Sequence, residues 1–266
     1  MEYIPLYIEF IKIKLKGMFE YRNAFWWMSL AKAVGWTADF MIIWVMLNQF
    51  QDLGGWSTYE VMLLYSMNVT SYSLAGFFLY HPCTKLSQRI RNGEFDEILT
   101  KPLNSFLYLV CREFSTGYFS NLAVSITVLC ICISKLNIPL TPINIALLIL
   151  VSIGGALIQG AAFIFTSVPA FWIVQNSALM NIVNNLKSFV RYPVSLYNKG
   201  IQILLTLVIP YAFINFYPAQ IFLKKNDFMM FHPVFQYLTP IIGLLLFAGG
   251  YLFWQVGISH YKSTGS

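Results

Sequence analysis

The 266-residue chain is 58% hydrophobic and only 11% charged, whereas soluble domains carry about 25% charged residues. A soluble fold of this length cannot bury so much apolar surface. The composition therefore excludes an ordinary soluble domain and predicts an all-α, polytopic membrane helix bundle, with residues 1–266 forming a single transmembrane domain. The net charge of +6 comes from Lys and Arg scattered through loops and tails, so it predicts orientation in the membrane and no nucleic-acid partner.

The first 24 residues predict a helix that lies in the membrane surface. Glu9, Lys12, Lys16 and Glu20 fall near one helical stripe, and apolar side chains occupy the rest of the circumference. A helix with this division contacts lipid with one face and water with the other. We therefore expect an interfacial helix rather than a first span.

A membrane span needs about 20 mostly apolar residues. Five stretches meet this requirement, at about 27–50, 59–80, 105–134, 142–168 and 234–258. The remaining span has two alternatives. In the first, 170–190 is the fifth span and 192–223 is a re-entrant hairpin on the far side. In the second, 170–190 is an interfacial helix and 201–217 is the fifth span. Both give six transmembrane helices with both termini on one side.

Positive charge predicts the orientation, because Lys and Arg accumulate in cytoplasmic loops. One side carries most of them in either alternative, whereas the opposite loops 51–58 and 135–141 hold only Lys135. Both termini and the 81–104 loop are therefore predicted to be cytoplasmic. The residues that carry this assignment are Lys12, Lys14, Lys16, Arg22, Lys85, Arg89, Arg91, Lys101 and Lys262.

Charge and proline disagree about the fifth span. The second alternative puts Lys187, Arg191 and Lys199 on the cytoplasmic side, as the charge rule prefers. Pro210 and Pro218 favour the first, because repeatedly interrupted helical backbone survives at membrane depth only when it is buried in protein or lines a cavity. With Pro193, these two prolines are the candidate gate residues of a hairpin.

The charged stretch LSQRIRNGEFDEILTKPL at 86–103 lies between two long apolar segments. It predicts a short amphipathic helix over 85–92, which Gly93 ends because glycine accepts the left-handed conformation. Acidic residues then open a second short helix, where they suit the helix dipole, and Pro102 ends it. This helix–Gly–helix elbow is either a coupling element that docks on a soluble motor or an ordinary amphipathic connector.

Part of the elbow, IRNGEFDEILTKPLNSF, resembles the signature R-x-G-E-x-D-x-x-L-x-x-P of type-2 ABC exporter permeases, a six-span family of bacterial transmembrane subunits. The stretches RYPVSLYNKGIQILLTLVIPYAFINFYPAQIFL and GISHYKSTGS resemble that family too, so the resemblance covers nearly the whole chain in order. It implies an N-terminal interfacial helix, a cytoplasmic coupling helix at 84–101 and an extracytoplasmic re-entrant hairpin at 192–223. It thus favours the first alternative for the fifth span.

The resemblance implies a function as the permease subunit of an ATP-driven exporter in the bacterial plasma (inner) membrane. Two permease subunits, identical or related, would form one pathway, and two copies of a separate ATPase subunit would bind the cytoplasmic loops. The expected coupling residues are Arg89, Arg91, Gly93, Glu94 and Asp96. We expect no enzyme activity, catalytic residue, metal or cofactor in this chain, because the G-x-x-x-x-G-K-[ST] phosphate-binding motif does not occur in it; ATP and Mg²⁺ belong to the partner.

Candidate residues for the translocation path come from polar positions inside predicted spans. Ser177, Asn181, Asn184 and Ser188 share one helix face, which either lines the path or forms hydrogen bonds between helices. Asp39 lies in the first predicted span, where ionisable residues usually face a cavity or a partner.

An alternative function is an ion-gradient-driven secondary transporter of an amphipathic solute. That class predicts inverted repeats and charges near the bilayer midplane. We find no convincing repeat between residues 1–134 and 135–266, and Asp39 is the one plausible midplane charge. The identity of the substrate is not encoded in any motif of the sequence.

Overall fold

A computed structural model of the chain describes residues 3–20, 22–50, 53–173 and 177–262. Within these ranges every helix or strand segment is helical, apart from an isolated bridge between Leu53 and Trp56. The all-α prediction is therefore confirmed. The α-helices are α1 Tyr3–Glu20, α2 Arg22–Phe50, α3 Thr58–Thr84, α4 Leu86–Arg91, α5 Glu94–Leu99, α6 Ser105–Arg112, α7 Phe119–Lys135, α8 Pro142–Ser167, α9 Ser177–Leu186, α10 Lys199–Ile203, α11 Phe216–Leu223 and α12 Thr239–Ser259.

Four helical stretches of the described chain are long and apolar enough to cross a membrane: Arg22–Gln49, Thr116–Lys135, Pro142–Phe171 and Thr239–Ser259. A fifth is formed if the pair Lys199–Val208 and Tyr211–Leu223, bent by 77°, counts as one span. The six-span count thus stays a prediction. The predicted second span is α3, which forms a long helix but does not reach the apolarity of these four.

Helix α3 lies at the centre of the bundle, and this position explains its polarity. It packs against α2, α7 and α8, so most of its side chains contact protein instead of lipid. Buried polar groups pair across these contacts. The Gln159 amide donates to Asn68 at 3.0 Å, and the Thr70 hydroxyl donates to Ser125 at 3.0 Å. A central helix can therefore carry hydrogen-bonding side chains that a lipid-facing helix cannot.

The start of α3 agrees with a local sequence signal, whereas its end lies beyond a proline that disfavours helix. The Ser57 backbone N–H donates to the Glu60 carboxylate at 2.7 Å, as part of a capping box that begins the helix. The predicted span ends at about residue 80, yet the helix continues through Pro82 to Thr84, and the Lys85 N–H still donates to the His81 carbonyl at 3.1 Å. A proline near a helix end removes only one hydrogen bond, which the adjoining turn tolerates.

The predicted span at 105–134 is divided in two. Helix α6 ends at Arg112, and the chain then turns before α7 begins at Phe119. The Ser115 N–H donates to the Phe77 carbonyl of α3 at 2.8 Å. Contact with α3 thus satisfies the backbone where the helix is interrupted.

Helices α8 and α12 pack closely through glycine. A Cβ atom built on Gly243 of α12 lies 2.4 Å from the carbonyl oxygen of Gly154 on α8. A Cβ built on Gly249, two turns further along α12, has only an ordinary contact of 3.8 Å with Phe165. The backbones of the two helices therefore touch at Gly154 and Gly243, in the manner of small-residue contacts between membrane helices.

Neither alternative for the fifth span is a continuous helix. The segment 170–190 holds the end of a 3₁₀ turn (Val168–Phe171), the ten-residue helix α9 and most of a second 3₁₀ turn (Lys187–Arg191); residues 174–176 lie outside the described ranges. The segment 201–217 runs through α10 and a π-helical turn (Leu204–Val208) before it breaks at Ile209 and Pro210. The chain between α8 and α12 is thus a series of short helices.

Candidate functional site

The elbow predicted at 84–101 is present as two short helices joined at Gly93. Helix α4 follows α3 after Lys85, and α5 begins at Glu94. Gly93 has φ +73° and ψ 1°, so the predicted left-handed conformation is confirmed. A Cβ atom at this position meets nothing within 4 Å. Glycine is favoured here by its backbone conformation and not by lack of space.

One face of the elbow is fixed to the bundle by apolar contacts. The buried side chains are Leu86, Ile90, Phe95 and Ile98. The ring of Phe95 lies 5.1 Å from that of Phe171 beyond α8 and 5.2 Å from that of Tyr261 beyond α12. Edge-on ring contacts at these distances are favourable, so the elbow is attached at the ends of two long helices.

Two of the predicted coupling residues make polar contacts toward the bundle. Arg89, only 8% exposed, pairs with Glu113 after α6 at 2.9 Å. The Tyr261 hydroxyl donates to the Asp96 carboxylate at 2.9 Å. Arg89 and Asp96 therefore hold the elbow in place, and the ion pair joins α4 to the start of the α6–α7 connection.

The opposite face of the elbow is exposed and charged. It presents Arg91, Glu94, Glu97 and the 40%-exposed side chain of Leu99. Glu94 accepts a hydrogen bond from Asn92 at 3.0 Å. We define Arg91, Glu94, Glu97 and Leu99 as the outer face of the elbow.

Lys101 borders the outer face. Its ammonium group lies 2.9 Å from Glu97 and 2.8 Å from the Tyr108 hydroxyl. The hydrogen bond and the positive charge of Lys101 lower the pKa of the Glu97 carboxyl below its usual value. Glu97 therefore keeps its negative charge. The outer face combines positive and negative side chains with one apolar side chain, that of Leu99. Sequence reasoning did not select Glu97 or Leu99 as coupling residues.

The predicted hairpin at 192–223 bends at one proline and not at the others. Pro210 stands at the 77° bend, with φ −71° and ψ 51°. Pro218 is the third residue of α11, in the first turn, where a helix needs no N–H donor. Pro193 precedes a 3₁₀ turn at Val194–Leu196. The prediction that Pro210 and Pro218 both break the helix is therefore wrong for Pro218.

The bent segment is inserted into the bundle by buried hydrogen bonds. The Asn215 amide donates to the Leu64 carbonyl of α3 at 3.0 Å and to the Val190 carbonyl at 2.7 Å. The Thr239 hydroxyl of α12 donates to the Phe213 carbonyl at 2.7 Å. The carbonyls of Val190 and Phe213, which lie in short 3₁₀ turns, are thus satisfied by side chains of other segments.

A polar clamp closes the end of the bundle opposite to the elbow. The Trp56 indole donates to the Asp227 carboxylate at 2.9 Å, and Lys225 pairs with Glu60 at 2.9 Å. The Lys225 ammonium also lies 4.3 Å from the Trp56 ring centroid and donates to the Gly55 carbonyl. The clamp connects the loop before α3 to the loop after α11.

The predicted path residues that the structure describes lie at separate places, and one of them lines a cavity. Ser188 lines a cavity of about 60 Å³ between α2, α3 and the Lys187–Arg191 turn. Asp39, half-buried on α2, acts electrostatically on Tyr65 of α3, as does Arg191. Asn181 is exposed on α9. The side chains of Ser177 and Asn184 lie outside the described residues, so the shared polar stripe stays a prediction.

Two cations near this cavity were missed as path candidates. The Lys187 ammonium lies 3.1 Å from the centroid of the Tyr72 ring, and the Arg191 guanidinium lies 5.6 Å from that of Tyr65. Cations over aromatic faces are held by the ring quadrupole. The sequence signal is a pair of cations that follow a polar stripe in an apolar region. In the sequence analysis these cations contribute only to the predicted orientation of the chain in the membrane. Both side chains line the cavity, together with Trp36.

A comparison with protein families gives one match. The family described as "ABC-2 family transporter protein" matches residues 33–265. The matched region includes α3, the elbow, the bent segment and α12. No curated protein and no solved structure matches the chain.

Proposed function

This chain belongs to the ABC-2 transporter family, and on that premise we propose that it is the permease subunit of an ATP-driven exporter. Two such subunits, identical or related, form the pathway across the bacterial inner membrane. ATP is hydrolysed by a separate soluble subunit, present in two copies, that binds the elbow. Both termini and the elbow face the cytoplasm, as the distribution of Lys and Arg predicts.

The two-sided elbow is the observation that carries this proposal. Its apolar face is packed against the ends of the bundle, while its outer face presents Arg91, Glu94, Glu97 and Leu99. Charged groups around an apolar side chain suit a protein partner that docks reversibly.

The contacts of the elbow supply routes by which its movement reaches the bundle. Helix α4 follows α3 directly, and the Arg89–Glu113 pair joins α4 to the α6–α7 connection. Phe95 contacts the ends of α8 and α12 through Phe171 and Tyr261. When ATP binding brings two motor subunits together, the elbow moves with them and tilts these helices as rigid bodies.

The far end of the path is formed by the 192–223 hairpin in this proposal. Asn215 joins it to α3, so a tilt of α3 moves the hairpin too. The substrate enters from the cytoplasm or the inner leaflet and leaves past Pro210. Asp39 and the 177–188 stripe, together with Lys187 and Arg191, are the candidate residues along the way.

The test is purification of the tagged chain from its native membrane in mild detergent, followed by mass spectrometry and an ATPase assay. We expect an ATP-binding subunit to copurify. The double variant Arg91→Ala/Glu94→Ala removes two exposed charges from the outer face and is expected to reduce retention of that subunit by about two- to thirtyfold, since each exposed interface charge contributes about 0.2–1 kcal/mol.

Lys135→Ala is the matched control, because Lys135 is exposed at the opposite end of α7 from the elbow. It is expected to leave retention and hydrolysis unchanged. If the chain purifies alone, or if the double variant behaves like the control, docking at the elbow is refuted. The ion-gradient-driven alternative then becomes the function to test.

A further inference from the structure

A basic cavity of about 300 Å³ opens beside the elbow, where α1, α2, the end of α3 and the α6–α7 connection meet. Three lysines line it from three different elements: Lys14 of α1, Lys32 of α2 and Lys85 after α3. His81 also lines it. The three lysines come together only in the folded chain, because they belong to different segments and do not follow one another along a single helix.

The positive charge of this cavity is not balanced within the described chain. Glu113 is the one carboxylate among the residues that line it, and Glu113 already pairs with Arg89. No salt bridge reaches Lys14, Lys32 or Lys85 from any described residue. The Lys32 ammonium has a long contact of 3.5 Å with the Gly117 carbonyl.

The three lysines converge on one cavity. Their positive charges and the negative charge of Glu113 all act on the His81 ring, which lines the same cavity. Like charges that converge on one cavity repel each other unless an anion lies between them. The cavity therefore has the charge of an anion site, and its volume of about 300 Å³ is large enough for a phosphate group.

An apolar groove of about 580 Å³ continues from the basic cavity along α2 and α7. The two share Phe25 and Ser29 in their walls. Further along, the groove is lined by Leu15, Leu30 and Phe119, and by Trp26, whose side chain is 68% exposed. A tryptophan between a charged region and an apolar one is typical of the membrane–water interface.

We propose that the cavity and the groove together bind one anionic phospholipid. Its phosphate lies among Lys14, Lys32 and Lys85, and one acyl chain lies along the groove. A soluble phosphate compound leaves the groove empty, and a neutral lipid leaves the three lysines without a counter-charge. Basic pockets between membrane helices at the cytoplasmic side bind anionic headgroups by this combination of contacts. The inference is independent of the partner ATPase and of the exported substrate.

The test uses the full chain, purified in detergent and freed of lipid, and native mass spectrometry with added lipid. The probes are phosphatidylglycerol and phosphatidylcholine with identical acyl chains, and glycerol phosphate as the soluble competitor. We expect one phosphatidylglycerol to be retained about a hundredfold more strongly than phosphatidylcholine, since each of the three lysines contributes about fivefold. Glycerol phosphate at equal concentration should not displace it, because it makes no contact with the groove.

Two variants test the two halves of the site separately. Lys14→Gln/Lys32→Gln/Lys85→Gln should abolish the preference for the anionic lipid, since each lysine contributes about fivefold. Ala33→Phe fills the groove, which Ala33 lines, and should weaken both lipids while leaving the lysines in place.

The matched control is Lys135→Gln/Lys199→Gln/Lys262→Gln, which removes three exposed lysines elsewhere and should keep the preference. Equal retention of the two lipids by the unaltered chain would overturn the proposal. So would full displacement by glycerol phosphate, which would assign the cavity to a soluble ligand. A second copy of the chain that covers the groove and excludes lipid would overturn it as well.

Discussion

The ion pair between Arg89 and Glu113 offers the sharpest test of how the elbow is attached. At 2.9 Å and an effective dielectric constant of about 20, the two charges attract by about 6 kcal/mol. Removing two charges from water offsets most of that gain, so the intact pair contributes little net stability. Removal of one partner leaves the other charge buried, which costs about 3–5 kcal/mol. Glu113 is 17% exposed, so we expect the lower end of that range.

The perturbation is a double-mutant cycle of Arg89→Met, Glu113→Gln and both together. The assay is thermal unfolding of the purified chain in one detergent, followed by tryptophan fluorescence. A loss of about 3 kcal/mol corresponds to a fall in Tm of about 6–12 °C for each single variant. The double variant should lose clearly less than the sum of the two, because it leaves no unpaired charge.

Arg91→Met is the control, since Arg91 lies two residues from Arg89 on the exposed side of α4. Its Tm should change by less than about 2 °C, as for most surface substitutions. Additive losses in the cycle would refute the reasoning, because they would mean that the two side chains stabilise the fold independently.

Two further predictions concern helix packing and the elbow's polar contacts. Gly243→Ala should destabilise the chain by about 1–3 kcal/mol, because the new methyl group meets the Gly154 carbonyl oxygen. Gly249→Ala in the same helix is the control and should not change the stability in the same unfolding assay. Equal effects of the two substitutions would contradict the close contact between Gly154 and Gly243. Burial, and secondarily the hydrogen bond to Asp96, raise the pKa of Tyr261 to about 12, so the stability from the protonated hydroxyl is present below pH 10 and lost as pH rises toward 12. A difference absorbance titration against Tyr261→Phe should show ionisation near pH 12, and ionisation near pH 10 would exclude the hydrogen bond to Asp96.

The elbow was predictable because its signals are local. Gly93 between two amphipathic stretches, with acidic residues directly after it, defines the joint within a few positions. The structure places the two helices at Leu86–Arg91 and Glu94–Leu99, each within about a residue or two of the prediction. No tertiary contact is needed to form such a joint, so sequence reasoning was sufficient.

The partners of the elbow were not predictable, because they are distant in sequence. Arg89 and Glu113 are separated by the two helices α5 and α6, and Asp96 meets Tyr261 only after the whole bundle has folded. Arg89 was therefore expected to contact a partner protein, although its side chain is buried. Residue type and local pattern do not distinguish an exposed arginine from one whose counter-ion lies on another helix.

The region between α8 and α12 was only partly predictable for a related reason. Proline marks where helical backbone is difficult, but its effect depends on position. Pro210 stands at a sharp bend, whereas Pro218 occupies a first turn where no hydrogen bond is lost. Hydrogen bonds from Asn215 and Thr239 then determine how the bent segment is held, and no sequence pattern identifies those contacts.

In the proposed mechanism, the length of α3 determines how far the elbow has to move to affect the opposite end of the bundle. From Leu64, whose carbonyl accepts the hydrogen bond of Asn215, to Thr84 at the elbow, α3 runs unbroken for about 30 Å. Over that length, a tilt of about 5° shifts one end against the other by only roughly 2–3 Å. In the proposed mechanism, α3 acts as a rigid rod, so a displacement smaller than one helical turn at the elbow makes or breaks the buried Asn215–Leu64 hydrogen bond at the bent segment. The displacement that matters is therefore below one nanometre, and it can be measured between a spin label at one end of α3 and a second label on α8.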